Sequence, residues 1–144
     1  MAAIVGFGLA CELAVNNLAT FAQHTQRLRD LCETGLVKLG ATLFGQQEKR
    51  IPNTSFFAFE NMDGETLVMA LDRKGFAVAS GSACSSDSSE PSHVLLAMGI
   101  EPDVARGAIR VSFGLSNTIE QVRLFLTVLE QELARLRNLT AILA

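Results

Sequence analysis

An α+β fold, in which a small mixed or antiparallel sheet is covered by helices, follows from three features of this 144-residue sequence. Long stretches near both ends carry apolar residues at helical spacing. Short stretches between them alternate apolar and polar with period two, and glycines punctuate the changes from one kind to the other. Short strands interleaved with helices favour antiparallel pairing over a continuous parallel sheet. A single domain, 1–144, is expected, since a chain of this length can bury roughly two-thirds of its unfolded surface in one core. No internal repeat is visible.

The first helical region is expected from about Ala3 to Leu39, with a bend at Asn16-Asn17. Its second half is amphipathic. Phe21, Leu28, Leu31, Cys32 and Val37 fall near one stripe, with Gln26, Arg27, Arg29 and Asp30 outside it. Cys11 and Cys32 are expected to be buried small hydrophobes. After Gly40 the pattern predicts a strand from Ala41 to Phe44, a charged turn through Gln46 to Arg50, and a second strand from Thr54 to Phe59. The phenylalanines there are core residues in this reading, not a platform for bases.

Gly64-Glu65 opens a helix to about Arg73 with Leu67, Val68 and Leu71 inward, and Gly75 turns the chain into a strand from Phe76 to Ala79. Pro91 to Gly99 reads as a short helix begun at Ser89 or Glu90, with Pro91 in its first turn and Gly99 as its stop. From Ala108 to Gly114 the chain alternates, with Ile109, Val111 and Phe113 on one face and Arg110 and Ser112 on the other. Asn117 or Thr118 then caps a long helix whose inner face is Val122, Phe125, Leu126, Leu129 and Leu133, with Arg135 and Arg137 near its end.

Composition removes several function classes. A net charge of −3 gives no reason to expect nucleic acid as a partner. No consecutive apolar run reaches the roughly 18 residues of a membrane helix, so no membrane partner is expected. The apolar start from Met1 to Cys11 has no basic residue and is ended by Glu12, so it reads as the packed beginning of a helix, not a signal peptide. Two isolated histidines and three dispersed cysteines form no metal site, and the odd cysteine count fits a reducing cytoplasm. Gly6-Phe7-Gly8 lacks the third glycine and preceding strand of a phosphate loop.

The densest functional signal is Ser80-Gly81-Ser82-Ala83-Cys84-Ser85-Ser86, which puts one thiol among side chains too small to hold it still. The polar run continues to Glu90-Pro91, unlike the apolar setting of an inert structural cysteine. By composition alone it is equally a Ser-rich linker with an incidental cysteine. Arg110, likewise, reads either as a planar fork for a carboxylate or as an exposed arginine in a surface ion pair. His93 is expected to be solvated, and nothing near His24 makes it a ligand.

The order SGSACSS, EPSHVLLAMG, AIRVSFG, led into by Pro52-Asn53-Thr54, resembles the carboxy-terminal small domain of NifS-like cysteine desulfurases, class V, fold-type I pyridoxal phosphate enzymes. The SGSAC form is similar to the long loop of the NifS and IscS type, not the shorter loop of the SufS type. The resemblance implies that Cys84 is the nucleophile that takes sulfur from L-cysteine as a persulfide, for iron–sulfur cluster assembly or another acceptor protein. It implies that Arg110 holds the substrate carboxylate. Pyridoxal phosphate is implied for the full-length enzyme and is not expected on this chain alone, because Lys38, Lys49 and Lys74 all lie outside the Ser/His/Lys context of the family's Schiff-base lysine. A stand-alone sulfur-relay or binding module without pyridoxal chemistry remains the alternative. A domain of this kind without its larger companion is expected to form a homo-oligomer through the apolar amino-terminal segment of Ala2, Ile4, Val5, Phe7 and Leu9.

Overall fold

A computed structural model describes residues 1–81 and 91–143, the last four by their backbone only. Helix α1 (Ala2–Lys38) is followed by strands β1 (Thr42–Leu43) and β2 (Thr54–Ala58), helix α2 (Gly64–Asp72), strand β3 (Ala79–Ser80), helices α3 (His93–Ala97) and α4 (Pro102–Arg106), strand β4 (Ile109–Ser112) and helix α5 (Ile119–Leu143). The four strands form one antiparallel sheet in the order β1-β2-β4-β3. The α+β expectation holds.

The two faces of the sheet are covered unequally. On one, Phe57 of β2 and Ile109 and Val111 of β4 pack with Phe113 against Leu28, Cys32 and Leu36 of α1, Leu67 and Leu71 of α2, and Val122, Phe125, Leu129 and Leu133 of α5. On the other, α3 and α4 supply Leu95 and Ala105 to a small cluster with Phe44, Ala58 and Ala108, against which Phe56 rests. Helix α5 starts with a reciprocal cap: Gln121 N–H donates to Thr118 Oγ1 at 3.3 Å, and Thr118 N–H donates to Gln121 Oε1 at 3.1 Å. Gly35 sits where any β-carbon would run into the side chain of Leu126, so glycine lets α1 and α5 meet closely.

Several expectations are corrected. The stretch Phe76–Val78 does not pair; only Ala79 and Ser80 join β4, because Gly75 (φ +84°) closes α2 with Phe76 N–H donating to Leu71 O, and the Phe76 ring turns onto Phe125. Helix α3 starts after Ser92, so Pro91 precedes its first turn, and Gly99 ends it at φ +78° as expected. Helix α4 was not anticipated, although Pro102 and Asp103 occupy its first turn. Helix α1 runs unbroken through Asn16-Asn17, with Asn17 Nδ2 donating to Leu13 O at 2.7 Å along the helix surface. Leu36, not Val37, is the buried residue at its end.

Cys11 is exposed, because the first five turns of α1 project past the body and residues 2–20 have nothing over them. As one helix, Ala2–Lys38 is long and apolar enough by length and composition to cross a membrane, which run length alone did not reveal. Arg29, expected outside the apolar stripe, is buried because it reaches the loop after β1 and donates to Ile51 O at 3.2 Å and to Asp30 at 2.7 Å. Beside it Arg50 grips the buried Glu33 carboxylate with two bonds of 2.6 and 2.7 Å. Together these latch the loop onto α1.

Arg50→Met leaves a buried carboxylate without its partner and is expected to cost about 3 kcal/mol in denaturant unfolding, with much of it recovered in Glu33→Leu/Arg50→Leu. A loss below about 1 kcal/mol would show the latch to be incidental. A second clip joins Glu132 to Arg135 at 2.7 Å and Lys74 at 3.6 Å. The hydrogen bond from Arg135, and then the two positive charges, hold the Glu132 carboxyl below its usual range. A carboxyl depressed in the folded state stabilises above its unfolded pKa of about 4.3, and that stability is lost as pH falls through the folded value. Stability should therefore decline on acidification below about pH 4.3, and Glu132→Gln should flatten that decline in thermal melts taken across pH.

Candidate functional site

Strand β4 lies between β2 and β3, so its outward residues are flanked on both sides. Arg110 is opposite Phe56 of β2 and Ala79 of β3, and paired residues in an antiparallel sheet share a face. Ser112, two residues on, shares that face, and its hydroxyl meets that of Thr54 at 3.2 Å. The face carries α3 and α4 only at its Phe44, Ala58 and Ala108 end. Arg110 is consequently exposed, and among the described residues it makes no hydrogen bond or ion pair. The bland alternative of a surface ion pair finds no partner there.

The start of β2 is held firmly against the end of β4. Phe113 N–H donates to Asn53 O at 2.8 Å, and Asn53 Nδ2 donates to Phe113 O at 3.3 Å. The Pro52-Asn53-Thr54 motif thus fixes the register in which Arg110 meets Phe56.

On the other flank β3 ends at Ser80, and Gly81 follows it on the Arg110 face. Ser80 is opposite Ile109, and Gly81 N–H donates to Ala108 O at 2.7 Å. A β-carbon on Gly81 would lie 2.9 Å from the Ala108 β-carbon and 3.4 Å from the edge of the Phe56 ring. Glycine is what permits the chain to pass this close. Cys84 itself, with Ser89 and Glu90, lies outside the described residues. The structure therefore places Arg110 and the root of the loop side by side.

The remaining candidates separate from this face. His24 Nε2–H donates to Asn117 O at 2.9 Å, a structural role between α1 and the start of α5. His93 is exposed in the first turn of α3, as expected. Cys32 is fully buried, and burial, followed by the charge of Glu33, pushes its thiol up to about 12. It is an inert thiol. Among the described residues no group of three or more histidine, cysteine or acidic side chains could hold a metal.

The chain's lysines do not suit a Schiff base on this face. Lys74 is tied to Glu132 between α2 and α5, Lys38 ends α1 in solvent, and Lys49 is exposed in the loop after β1. None lies on the strands that flank Arg110. The residues present do not fit the covalent binding of pyridoxal phosphate.

The chain is similar in sequence and in fold to known proteins. The cysteine desulfurase of Gluconacetobacter diazotrophicus is 42% identical over 95% of this chain and 35% of its own length. The cysteine desulfurase IscS 1 of Archaeoglobus fulgidus is 39% identical over 96% of this chain and 36% of its own. A solved NifS-like protein superposes with a TM-score of 0.80 at 37% identity, over 91% of this chain and 33% of that one. A sugar aminotransferase of Streptococcus pneumoniae, at 12% identity and a TM-score of 0.57, shares the fold alone. The chain spans about a third of the length of the curated relatives it matches. Residues 1–125 match the aminotransferase class-V family, the family of pyridoxal phosphate enzymes that includes the cysteine desulfurases, and the chain belongs to it.

Proposed function

We propose that this chain is the nucleophile-bearing part of a cysteine desulfurase of the NifS and IscS kind, working as one domain in a reducing cytoplasm. The observation that carries the reading is the placement of Arg110 beside the root of the Ser/Cys loop. Ala79 is its cross-strand neighbour, and Gly81 shares its face. Cys84 is three residues on from Gly81, so covalent geometry keeps their α-carbons within about 11 Å.

Arg110 supplies a rigid guanidinium fork that grips the carboxylate of L-cysteine through two charge-assisted bonds. Cys84 reacts as the thiolate. Its sulfur forms a bond to the substrate sulfur while the substrate's Cβ–Sγ bond breaks, leaving the electron pair with carbon, and a proton completes alanine. The persulfide on Cys84 is then passed to an acceptor protein for iron–sulfur cluster assembly or another use. In the full-length enzyme, pyridoxal phosphate would supply the electron sink for this bond cleavage, and this chain's own part would be the thiol and the arginine. Self-association into a homo-oligomer belongs to the same reading, and neither membrane nor nucleic acid does. An arginine with no partner among the described residues fits a carboxylate substrate better than it fits a pure sulfur relay.

In the pyridoxal phosphate holoenzyme carrying this chain, Cys84→Ser is expected to abolish persulfide formation and alanine release from L-cysteine. Arg110→Ala should raise KM for L-cysteine by about 10- to 100-fold, the worth of hydrogen bonds to a charged group, while Arg110→Lys recovers part of it. Peptide mass mapping that finds the sulfur on Cys11, or full activity in Cys84→Ser, overturns the assignment. The chain alone, incubated with pyridoxal phosphate, should give no imine absorption that borohydride fixes to Lys38, Lys49 or Lys74. A fixed adduct on any of the three would mean that the chain holds the cofactor itself.

A further inference from the structure

Arg110 has two cross-strand neighbours of very different size: Ala79 of β3 offers a methyl group, and Phe56 of β2 an aromatic ring. The hydrogen-bond pattern brings the larger one close. Phe56 O accepts from Phe44 N–H at 2.8 Å, so its backbone polar groups face β1 and turn away from β4. Phe113 N–H donates to Asn53 O at 2.8 Å, and bonding between β2 and β4 then falls on every second pair, which skips Phe56 and Arg110. Phe56 and Arg110 are thus a non-hydrogen-bonded pair, the kind whose α-carbons approach to about 4.5 Å and whose side chains stand closest.

The Phe56 ring is itself held. It meets the Phe44 ring edge to face, with centroids 5.3 Å apart at 68°. Its tip lies 3.4 Å from where a β-carbon on Gly81 would be, and Gly81 is bonded to Ala108 O at 2.7 Å. A ring that starts on β2 and ends by Gly81, on the far side of β4, lies across β4 over the fully buried Ala108. Small residues at 81 and 108 leave room for it. The space beside Arg110 toward Ala108 is therefore filled by the ring. Two residues along β4 the other way stand the hydroxyls of Ser112 and Thr54, 3.2 Å apart.

We propose that Phe56 is a positioning residue for the binding of L-cysteine: its ring walls off the Ala108 side of Arg110 and holds the arginine's aliphatic stem in place for the substrate carboxylate. This rests on the assignment of Arg110 as the residue that grips that carboxylate. A long side chain that is free before binding loses conformational entropy when a ligand fixes it. A wall that removes rotamers beforehand lowers that cost. No ion pair or hydrogen bond among the described residues orders Arg110, so packing against its cross-strand neighbour is what remains to do so. A group that orders the arginine in this way acts on substrate binding and leaves the bond-breaking step alone.

The test is a double-mutant cycle in the pyridoxal phosphate holoenzyme carrying this chain, read as KM and kcat for L-cysteine. Phe56→Leu keeps an apolar cover on Ala108 and removes the flat ring. It should raise KM about 3- to 10-fold, the worth of ordering one long side chain beforehand, with kcat held within about twofold. In an Arg110→Ala background the same substitution should change KM by less than about twofold, since no arginine is left to hold. Phe44→Leu, which frees the ring from its brace, gives the cycle a second route and should raise KM less, in the same direction. Side-chain NMR of the chain itself reads the role without turnover: the order parameter of the Arg110 Nε–H vector should fall in Phe56→Leu. A fall in kcat with KM unchanged, an equal rise of KM in the Arg110→Ala background, or an unaltered Arg110 order parameter overturns the positioning role while leaving Arg110 as the carboxylate residue. Arg110→Ala without effect on KM overturns both.

Discussion

Strand β4 cannot bury Ile109, Val111 and Phe113 without turning Arg110 and Ser112 to the opposite face. The two-residue period of a strand makes this unavoidable, and a slip of one residue would exchange the core for the site. Because β4 pairs on both sides, its register is set twice, by β2 and by β3. The helices α1, α2 and α5 supply the apolar cover that makes the inward choice pay. The position of Arg110 is the other half of that same choice.

Among the described residues the outward face is largely open, for a related reason. Helices α3 and α4 are one turn each and cover only the end of the sheet near Phe44, Ala58 and Ala108. What remains is a short row of Thr54, Phe56, Arg110 and Ala79 with Gly81 at its edge. A backbone passing against Ala108 and Phe56 at this distance favours glycine, so the glycine of the SGSAC run is tied to sheet packing. Gly81, at the root of the Ser/Cys loop, lies on the Arg110 face, opposite the main core. Cys32 is sealed within that core, and Cys11 stands out on α1 beyond it.

Helix α1 divides into two halves. Its second half anchors the loop after β1 through Arg29 and Arg50 and packs on α5 through Gly35. Its first half projects past the body.

Helix and strand periodicity, the Gly75 and Gly99 stops, the Thr118 cap and the split of β4 into two faces were all legible from the sequence, because each depends on residues within one turn or one strand. So were the Cys84 and Arg110 motifs as residue types. Burial of Arg29, exposure of Cys11, and the failure of Phe76–Val78 to pair were not, because each depends on a surface brought from elsewhere: the loop at Ile51, the start of α5 by Asn117, and the Phe125 ring. The closeness of Arg110 to the loop's root was also a tertiary matter. Their 29-residue separation in the sequence from Gly81 to Arg110 becomes adjacency only when β3 and β4 pair. Local chemistry is written in the order of residues, whereas what a side chain finally touches is decided by the chain segments that pack across it.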